Sequence, residues 1–200
     1  GGSFQWLRNT LRQVGAANLN YDEMTSLAAS VPIGAEGLLF LPYLTGERTP
    51  HLDPLARGAF VGLTARHSAA HIIRAVMEGV VFSLRDGLEI MRDLGLPLGE
   101  VRATGGGGRS LLWRQMQADI YGAEVATLVA EEGPAYGAAL LAGVGAGVFA
   151  GVGEAVDRCV AVAGVTRPDP AAQARYEQVY AVYRDMYGAL REGMHRLATL

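Results

Sequence analysis

Two hundred residues, half of them apolar, are enough to bury a core and exclude a disordered chain. A formal charge of −3 supplies no basic field, which excludes nucleic acid or an anionic membrane as the main partner. A single cysteine, Cys159, excludes an internal disulfide and a cysteine-built metal site, and fits a reducing, cytoplasmic setting as a small core residue.

All seventeen basic residues are arginine, so no lysine can grip a phosphate; backbone, Arg or a metal must do it. The chain opens at Gly1-Gly-Ser without an initiator methionine and without a signal peptide, and reads as a fragment. A first helix is expected from Phe4 to about Val14, with Ser3 as N-cap and Trp6, Leu7 and Leu11 on one face. A second covers Tyr21 to Ser30, opened by Asn20 or Asp22. Gly37–Leu44 reads as a buried strand running into the polar, turn-rich loop Thr45–Pro54, and Arg57–Leu63 as another strand. Ser68 then caps a long helix to about Leu94, with Ile72, Ala75, Val76, Gly79, Val80 and Leu84 forming its face.

A short β-type run at Val101 breaks into the four glycines Gly105–Gly108 and enters a helix from Ser110 to Tyr121. Glycines before a helix start leave backbone N–H groups and the positive end of a dipole open to an anion, with no Cβ in the way. Phosphate is the expected guest. The bland reading is a tight strand-to-helix connection. A dinucleotide site competes, with Glu131 placed where a ribose-binding acid would sit, but the third glycine of that pattern is missing at Ser110 and Leu111. A Walker-type loop lacks its Gly-Lys-Ser/Thr ending.

Glu124–Val129 reads as a strand. Gly133–Gly145 is a helix with Pro134 in its first turn, whose small residues suggest close packing against a neighbouring helix or a ligand. The longest apolar stretch, Ala138–Ala150, is too short to span a bilayer and is broken by glycines. Gly153–Cys159 and Pro170–Leu197 complete the helices. Strands followed by crossover helices imply an α/β domain, with helices packed on a mixed sheet.

Several polar residues admit two readings. Glu47 and Arg48 either face a cleft between lobes or form a salt bridge that holds their loop. His51 and Asp53 resemble an acid/base pair, yet polar residues among prolines are more often a solvated turn. His71 and Glu78, two helical turns apart, suit a structural role better than chemistry. Trp6 and Trp113 read as core anchors. Tyr176, Tyr180, Tyr183 and Tyr187 recur at helical spacing as a packing stripe or a dimer surface.

The motifs Gly-Gly-Ser-x-x-Trp-Leu-Arg (Gly1 to Arg8), Leu-Pro-Tyr-Leu-x-Gly-Glu-Arg-Thr-Pro-His (Leu41 to His51), Ala-Arg-Gly-x-Phe-x-Gly-Leu (Ala56 to Leu63) and His-Ile-x-Arg-Ala-Val-Met-Glu-Gly (His71 to Gly79) continue in Gly-Gly-Gly-x-Arg-Ser-x-x-Trp-Arg-Gln-Met-x-Ala-Asp-Ile (Gly105 to Ile120) and Pro-Ala-x-Gly-Ala-Ala (Pro134 to Ala139). Together they resemble the C-terminal domain of the FGGY carbohydrate kinases, and most of all its xylulose-phosphorylating branch. The resemblance implies a ribonuclease H-like, actin-like ATPase domain filling residues 1–200, with a sugar-binding N-terminal lobe as its partner.

It further implies ATP with Mg²⁺ as cofactors and a ketopentose, D-xylulose, as substrate. By the same resemblance Gly106, Gly107 and Gly108 approach the α-phosphate and ribose, Ser110 lies near the nucleoside, and Gly1, Gly2 and Gln5 face the outer phosphates. The Pro134–Ala139 segment would pack beside the nucleotide. The family's catalytic aspartate, its aspartate near magnesium and most of its sugar contacts lie before this chain's first residue, so neither a catalytic residue nor a metal ligand is expected here. The apolar terminal helix offers a surface for a homodimer. Two other readings stay open: a non-catalytic interaction module of the same fold, and another kinase of the family acting on glycerol, gluconate or ribulose.

Overall fold

The computed structural model describes residues 2–16, 18–97, 99–130 and 133–200. Helix α1 (Gly2–Gln13) takes Ser3 inside its first turn rather than as a cap, and buries Phe4 and Leu7. Trp6, expected in the core, is 38% exposed and stacks on Phe40 from outside. α2 (Tyr21–Ala29) starts with a reciprocal capping box: Asn20 Oδ1 accepts from Glu23 N–H at 2.9 Å, and Glu23 Oε2 accepts from Asn20 N–H at 2.9 Å. Because both bonds hang on one side chain each, Asn20→Ala is expected to cost about 1 kcal/mol in urea unfolding; a change below about 0.3 kcal/mol would count against the box.

Strands β1 (Leu39–Leu41) and β2 (Ala59–Val61) form an antiparallel pair in which Phe40 faces Phe60. β1 is buried along its whole length beneath α3 (Ala69–Asp93). The close approach is made possible by Gly79, where a Cβ would run into the Phe40 carbonyl. α3 departs from the expected single stripe. Leu84 is exposed, whereas the charged Arg74, Glu78 and Arg85 are buried with the apolar residues. The helix is enclosed by α1, α2, β1 and α5, so a one-sided pattern does not describe it.

Beyond it, β3 (Val101–Arg102), β4 (Val125–Leu128) and β5 (Val162–Thr166) form a mixed sheet in that order, β3 parallel to β4 and β4 antiparallel to β5. β5 carries no clear strand signal: it contains Gly164, sits at the sheet edge and is largely exposed. The glycine run, expected as a turn, winds into a single helical turn, α4 (Gly105–Arg109). It opens at Gly105 with φ +63°, a value glycine adopts without strain. α5 (Leu111–Tyr121) follows, capped by the Ser110 hydroxyl, which accepts from Trp113 N–H at 3.3 Å.

α6 (Gly133–Gly145) rests on α7 (Val152–Cys159), and none of its residues is buried. Its small residues thus rest against a neighbouring helix without being buried by it. Cys159, expected in the core, is half-buried at the end of α7.

The terminal helix α8 (Pro170–Leu197) begins where expected, with Asp169 accepting from Ala171 and Ala172 N–H. Its tyrosine stripe packs inward. Phe82 of α3 sits among the rings of Tyr176, Tyr180 and Tyr183, and the phenol groups find acids: Tyr176 bonds Glu78, Tyr180 bonds Asp86 and Tyr187 bonds Asp53. Deepest is the Glu78 carboxylate, whose Oε1 accepts from Arg74 Nε at 2.7 Å, Tyr176 O–H at 3.0 Å and Gly34 N–H at 3.1 Å. Burial pushes that carboxyl up against the pull of these donors.

Candidate nucleotide-binding cleft

The N-terminal ends of α1 and α5, the glycine turn α4 and one side of α2 converge on a cleft of about 900 Å³. Gly2, Gln5, Gly106 and Ser110 all line it, so two segments a hundred residues apart in the chain share one wall. Gly107 and Gly108 do not line it. Gly107 offers its carbonyl to Gln117 Nε2 at 3.1 Å, and Gly108 is buried against β3, where a Cβ would lie 2.8 Å from the Ala103 carbonyl oxygen. Gly1 and Glu131 lie outside the described residues. The Pro134–Ala139 segment is not part of the described lining.

The chemistry of this cleft is divided. At one end α1 presents its N-terminus with no acidic residue in its first turn, so its unbonded N–H groups and dipole favour an anion. Beside it stands an aromatic group. Phe4 stacks on Tyr21 with centroids 5.5 Å apart and meets Trp113 edge-on at 5.1 Å, while the Arg8 guanidinium lies 4.3 Å from the Tyr21 ring centre. Asp22, Thr25 and Ser26 of α2 add polar groups. These α2 residues and Tyr21 were not singled out by sequence reasoning. The available signal was the polar spacing of Tyr21, Asp22, Thr25 and Ser26 over successive turns, which reads as an ordinary solvated face until α4 is placed opposite. Asp22 is the single carboxylate among the described lining residues, and no group of three or more potential metal ligands occurs among the described residues.

The polar loop between β1 and β2 is structural. Glu47 does not pair with Arg48 through side chains; its Oε1 accepts from the Arg48 and Thr49 N–H groups at 2.6 and 3.1 Å. Nor does Asp53 pair with His51. Asp53 Oδ2 is 2.7 Å from His195 Nε2 and accepts from Tyr187 O–H at 2.8 Å, while His51 lies flat on the Tyr187 ring at 3.6 Å. The loop is thereby fastened to α8. His195, with the Tyr187 and Leu55 groups, holds the Asp53 carboxyl down at about 2 against its reference 3.8. A depressed carboxylate contributes stability above its unfolded pKa and loses it as pH falls through the folded value. Unfolding midpoints of the wild type and Asp53→Asn are therefore expected to converge as pH falls from 3.8 towards about 2; a gap independent of pH would show that charge plays no part.

His71 is likewise structural: its Nδ1 accepts from Ser68 N–H at 3.2 Å at the start of α3, and its Nε2 lies 3.9 Å from Glu36 Oε2. Among the described residues no helix is long and apolar enough to cross a membrane.

Comparison with known proteins shows the family. The profile of the FGGY family of carbohydrate kinases, C-terminal domain, matches residues 1–146. The xylulose kinase of Staphylococcus epidermidis is 41% identical over the whole chain, which spans 40% of that protein. The gluconokinase of Bacillus subtilis is 43% identical over 122 residues, 60% of this chain and 24% of the relative. Among solved structures, the ligand-bound xylulose kinase from Lactobacillus acidophilus superposes with a TM-score of 0.86 at 32% identity, over 98% of this chain and 39% of the other. These structures and the helices flanking a mixed sheet place the domain in the ribonuclease H-like, actin-like class. The chain thus belongs to the FGGY family of carbohydrate kinases, matching its C-terminal domain.

Proposed function

We propose that this domain is the nucleotide-binding half of an ATP-dependent carbohydrate kinase that phosphorylates D-xylulose to D-xylulose 5-phosphate. The observation that carries the reading is the convergence of Gly2 and Gln5 with Gly106 and Ser110 on one cleft, which is also lined by the aromatic residues Phe4, Tyr21 and Trp113. A purine suits the exposed Tyr21 side, and the phosphate chain suits the helix starts. Gly107 and Gly108 act at one remove, by setting the path of α4 against Gln117 and β3. Gly1 is proposed to continue the α1 phosphate contact.

Phosphoryl transfer depends on positioning and on charge stabilisation more than on covalent chemistry by the protein. This chain's part is to hold the nucleotide and to aim its terminal phosphate out of the cleft. The carboxylate that takes the proton of the sugar's acceptor hydroxyl and the sugar contacts belong to a partner lobe that closes over the cleft and excludes water. Mg²⁺ fits as an ion carried by the phosphates and water, since the cleft offers Asp22 alone as a carboxylate, and Mg²⁺ often uses only one or two. When bound, it would neutralise developing charge on the phosphates.

The test is a coupled ADP-release assay on the full-length protein against xylulose, ribulose, gluconate and glycerol. Xylulose is expected to be preferred, and a clear preference for another acceptor would overturn the assignment. Gluconate is the second reading, because the similarity to a gluconokinase is as high over the region it covers. A protein that binds ADP but turns over no acceptor would instead be a non-catalytic module. Cytoplasmic location and a homodimer remain part of the same proposal; sedimentation of the full-length protein tests the latter.

A further inference from the structure

The wall that α2 gives to the cleft has a regular spacing. Tyr21, Asp22, Thr25, Ser26 and Ala29 all line it, and these positions repeat along one face of the helix over two turns. Asp22 and Ser26 also line a more open groove that continues along α2, so they stand at the rim of the cleft. We propose that Asp22 is the ribose reader of this cleft: its carboxylate accepts from the vicinal 2′- and 3′-hydroxyls of the nucleotide and makes the site select ribonucleotides over deoxyribonucleotides. The inference rests on the nucleotide reading of the cleft.

The state of the carboxylate carries the argument. α2 has two acids in its first turn, Asp22 and Glu23. Glu23 is occupied, because its Oε2 accepts from Asn20 N–H in the capping box. Asp22 is exposed on the cleft wall and has no hydrogen-bond or salt-bridge partner among the described residues. An ionised carboxylate only accepts, and its two oxygens can serve two hydroxyl donors at once through short, charge-assisted bonds. The same charge repels a phosphate, so Asp22 does not suit the nucleotide's anionic end. Ser26, one turn further along the same face, adds a hydroxyl that can donate or accept.

Covalent order places the sugar. A nucleotide joins base to phosphate through its ribose, so a base against the exposed Tyr21 ring and phosphates at the start of α1 leave the sugar in the stretch between. The stack of Tyr21 on Phe4, with centroids 5.5 Å apart, ties the start of α2 to the first turn of α1, and Asp22 is the next residue along. An acid that binds ribose hydroxyls also serves dinucleotide folds, where it stands near a strand end. Here a helix start supplies it.

Equilibrium titration of the full-length protein with ADP, 2′-deoxy-ADP and 3′-deoxy-ADP tests the proposal. The wild type is expected to bind ADP at least about tenfold more tightly than either deoxy analogue, as the loss of a hydrogen bond to a charged group implies. In Asp22→Ala the three ligands should bind alike, with ADP weakened to the level of the analogues. Asp22→Asn, which keeps one acceptor oxygen and the side-chain shape, should retain a reduced preference and decides the matter should Asp22→Ala fail to fold. The preference is expected to survive EDTA; its loss on chelation would assign Asp22 to Mg²⁺ and overturn the proposal. A variant that changes ADP against GDP but leaves the ribose preference would assign Asp22 to the base, and a preference unchanged in both variants would overturn the proposal as well. Gly106→Val keeps the two readings apart, because it should weaken ADP and its deoxy analogues equally and leave their ratio intact. ADP binding that responds to Gly106→Val and not to Asp22 sinks the ribose reader alone, whereas no ADP binding at all sinks the nucleotide reading and this inference with it.

Discussion

Glu78→Gln is expected to lower the unfolding free energy by about 3–5 kcal/mol, the cost of leaving a buried charge without its counter-ion. The substitution keeps the shape of the side chain and removes only its charge. Arg74 would then stay among Ala28, Val31 and Tyr176, bonded to carbonyls and a phenol, with no anion in reach of its Nε. The second half of the prediction guards against a trivial outcome. The pair Arg74→Met with Glu78→Leu should recover much of the loss, because apolar groups of similar volume often replace a buried ion pair at little cost. Urea unfolding of the single and double variants measures both. A single-variant loss under about 1 kcal/mol, or a double variant worse than the single, would show that the pair is not the keystone of the α3–α8 contact.

Gly106→Val should reduce ADP affinity on the order of 100-fold, about 2.7 kcal/mol, with little change in stability. A Cβ at Gly106 meets nothing within 4 Å, and the residue lines the cleft, so the added branches project into space the ligand needs. Gly108→Ala is expected to behave in the opposite way. Its Cβ would press on the Ala103 carbonyl at 2.8 Å and destabilise the fold by about 1–3 kcal/mol, while ADP binding to the folded fraction changes far less. Titration calorimetry with ADP and urea unfolding on both variants separates a contact glycine from a packing glycine. If the two variants lost affinity equally, the glycine turn would act as one unit and the division described here would be wrong.

That division marks how far the sequence could be read. Side chains with strong local preferences announced themselves: Asn20, one of the two caps expected beside Asp22, Pro170 at the head of the last helix and Ser110 at the start of α5 all stand where expected. The convergence of Gly2 and Gln5 with Gly106 and Ser110 followed from motif likeness and is visible in space. The glycine run gave its location but not its geometry. Poor intrinsic propensity argues against helix, and the turn forms because its neighbours fix it, with Gly108 against β3 and Gly107 held by Gln117.

Elsewhere tertiary context overrode the local pattern. The face of α3 was misread because a buried ion pair puts charge where periodicity expects apolar residues. β5 escaped notice because an exposed edge strand with a central glycine has neither alternation nor bulk. Trp6 lies outside the core although its size suggests otherwise; it covers Phe40 as a lid on the β1–β2 pair. His51 and Asp53 are close in sequence, yet the partners of Asp53 come from α8, more than 130 residues away, a pairing that no local pattern encodes.

The tyrosine stripe of α8 bears on how relatives in this family can be recombined. Three phenols, at Tyr176, Tyr180 and Tyr187, meet acids carried by α3 and the β1–β2 loop, and the family profile ends at residue 146, well before this helix starts. A chimera that grafts another kinase's tail onto this domain would take from Glu78, Asp86 and Asp53 their α8 partners together unless the donor's matching helix and loop travelled with it. Exchange within the group should therefore respect that complementarity, so that the segment beyond residue 146 changes in step with the α3 and loop residues it meets.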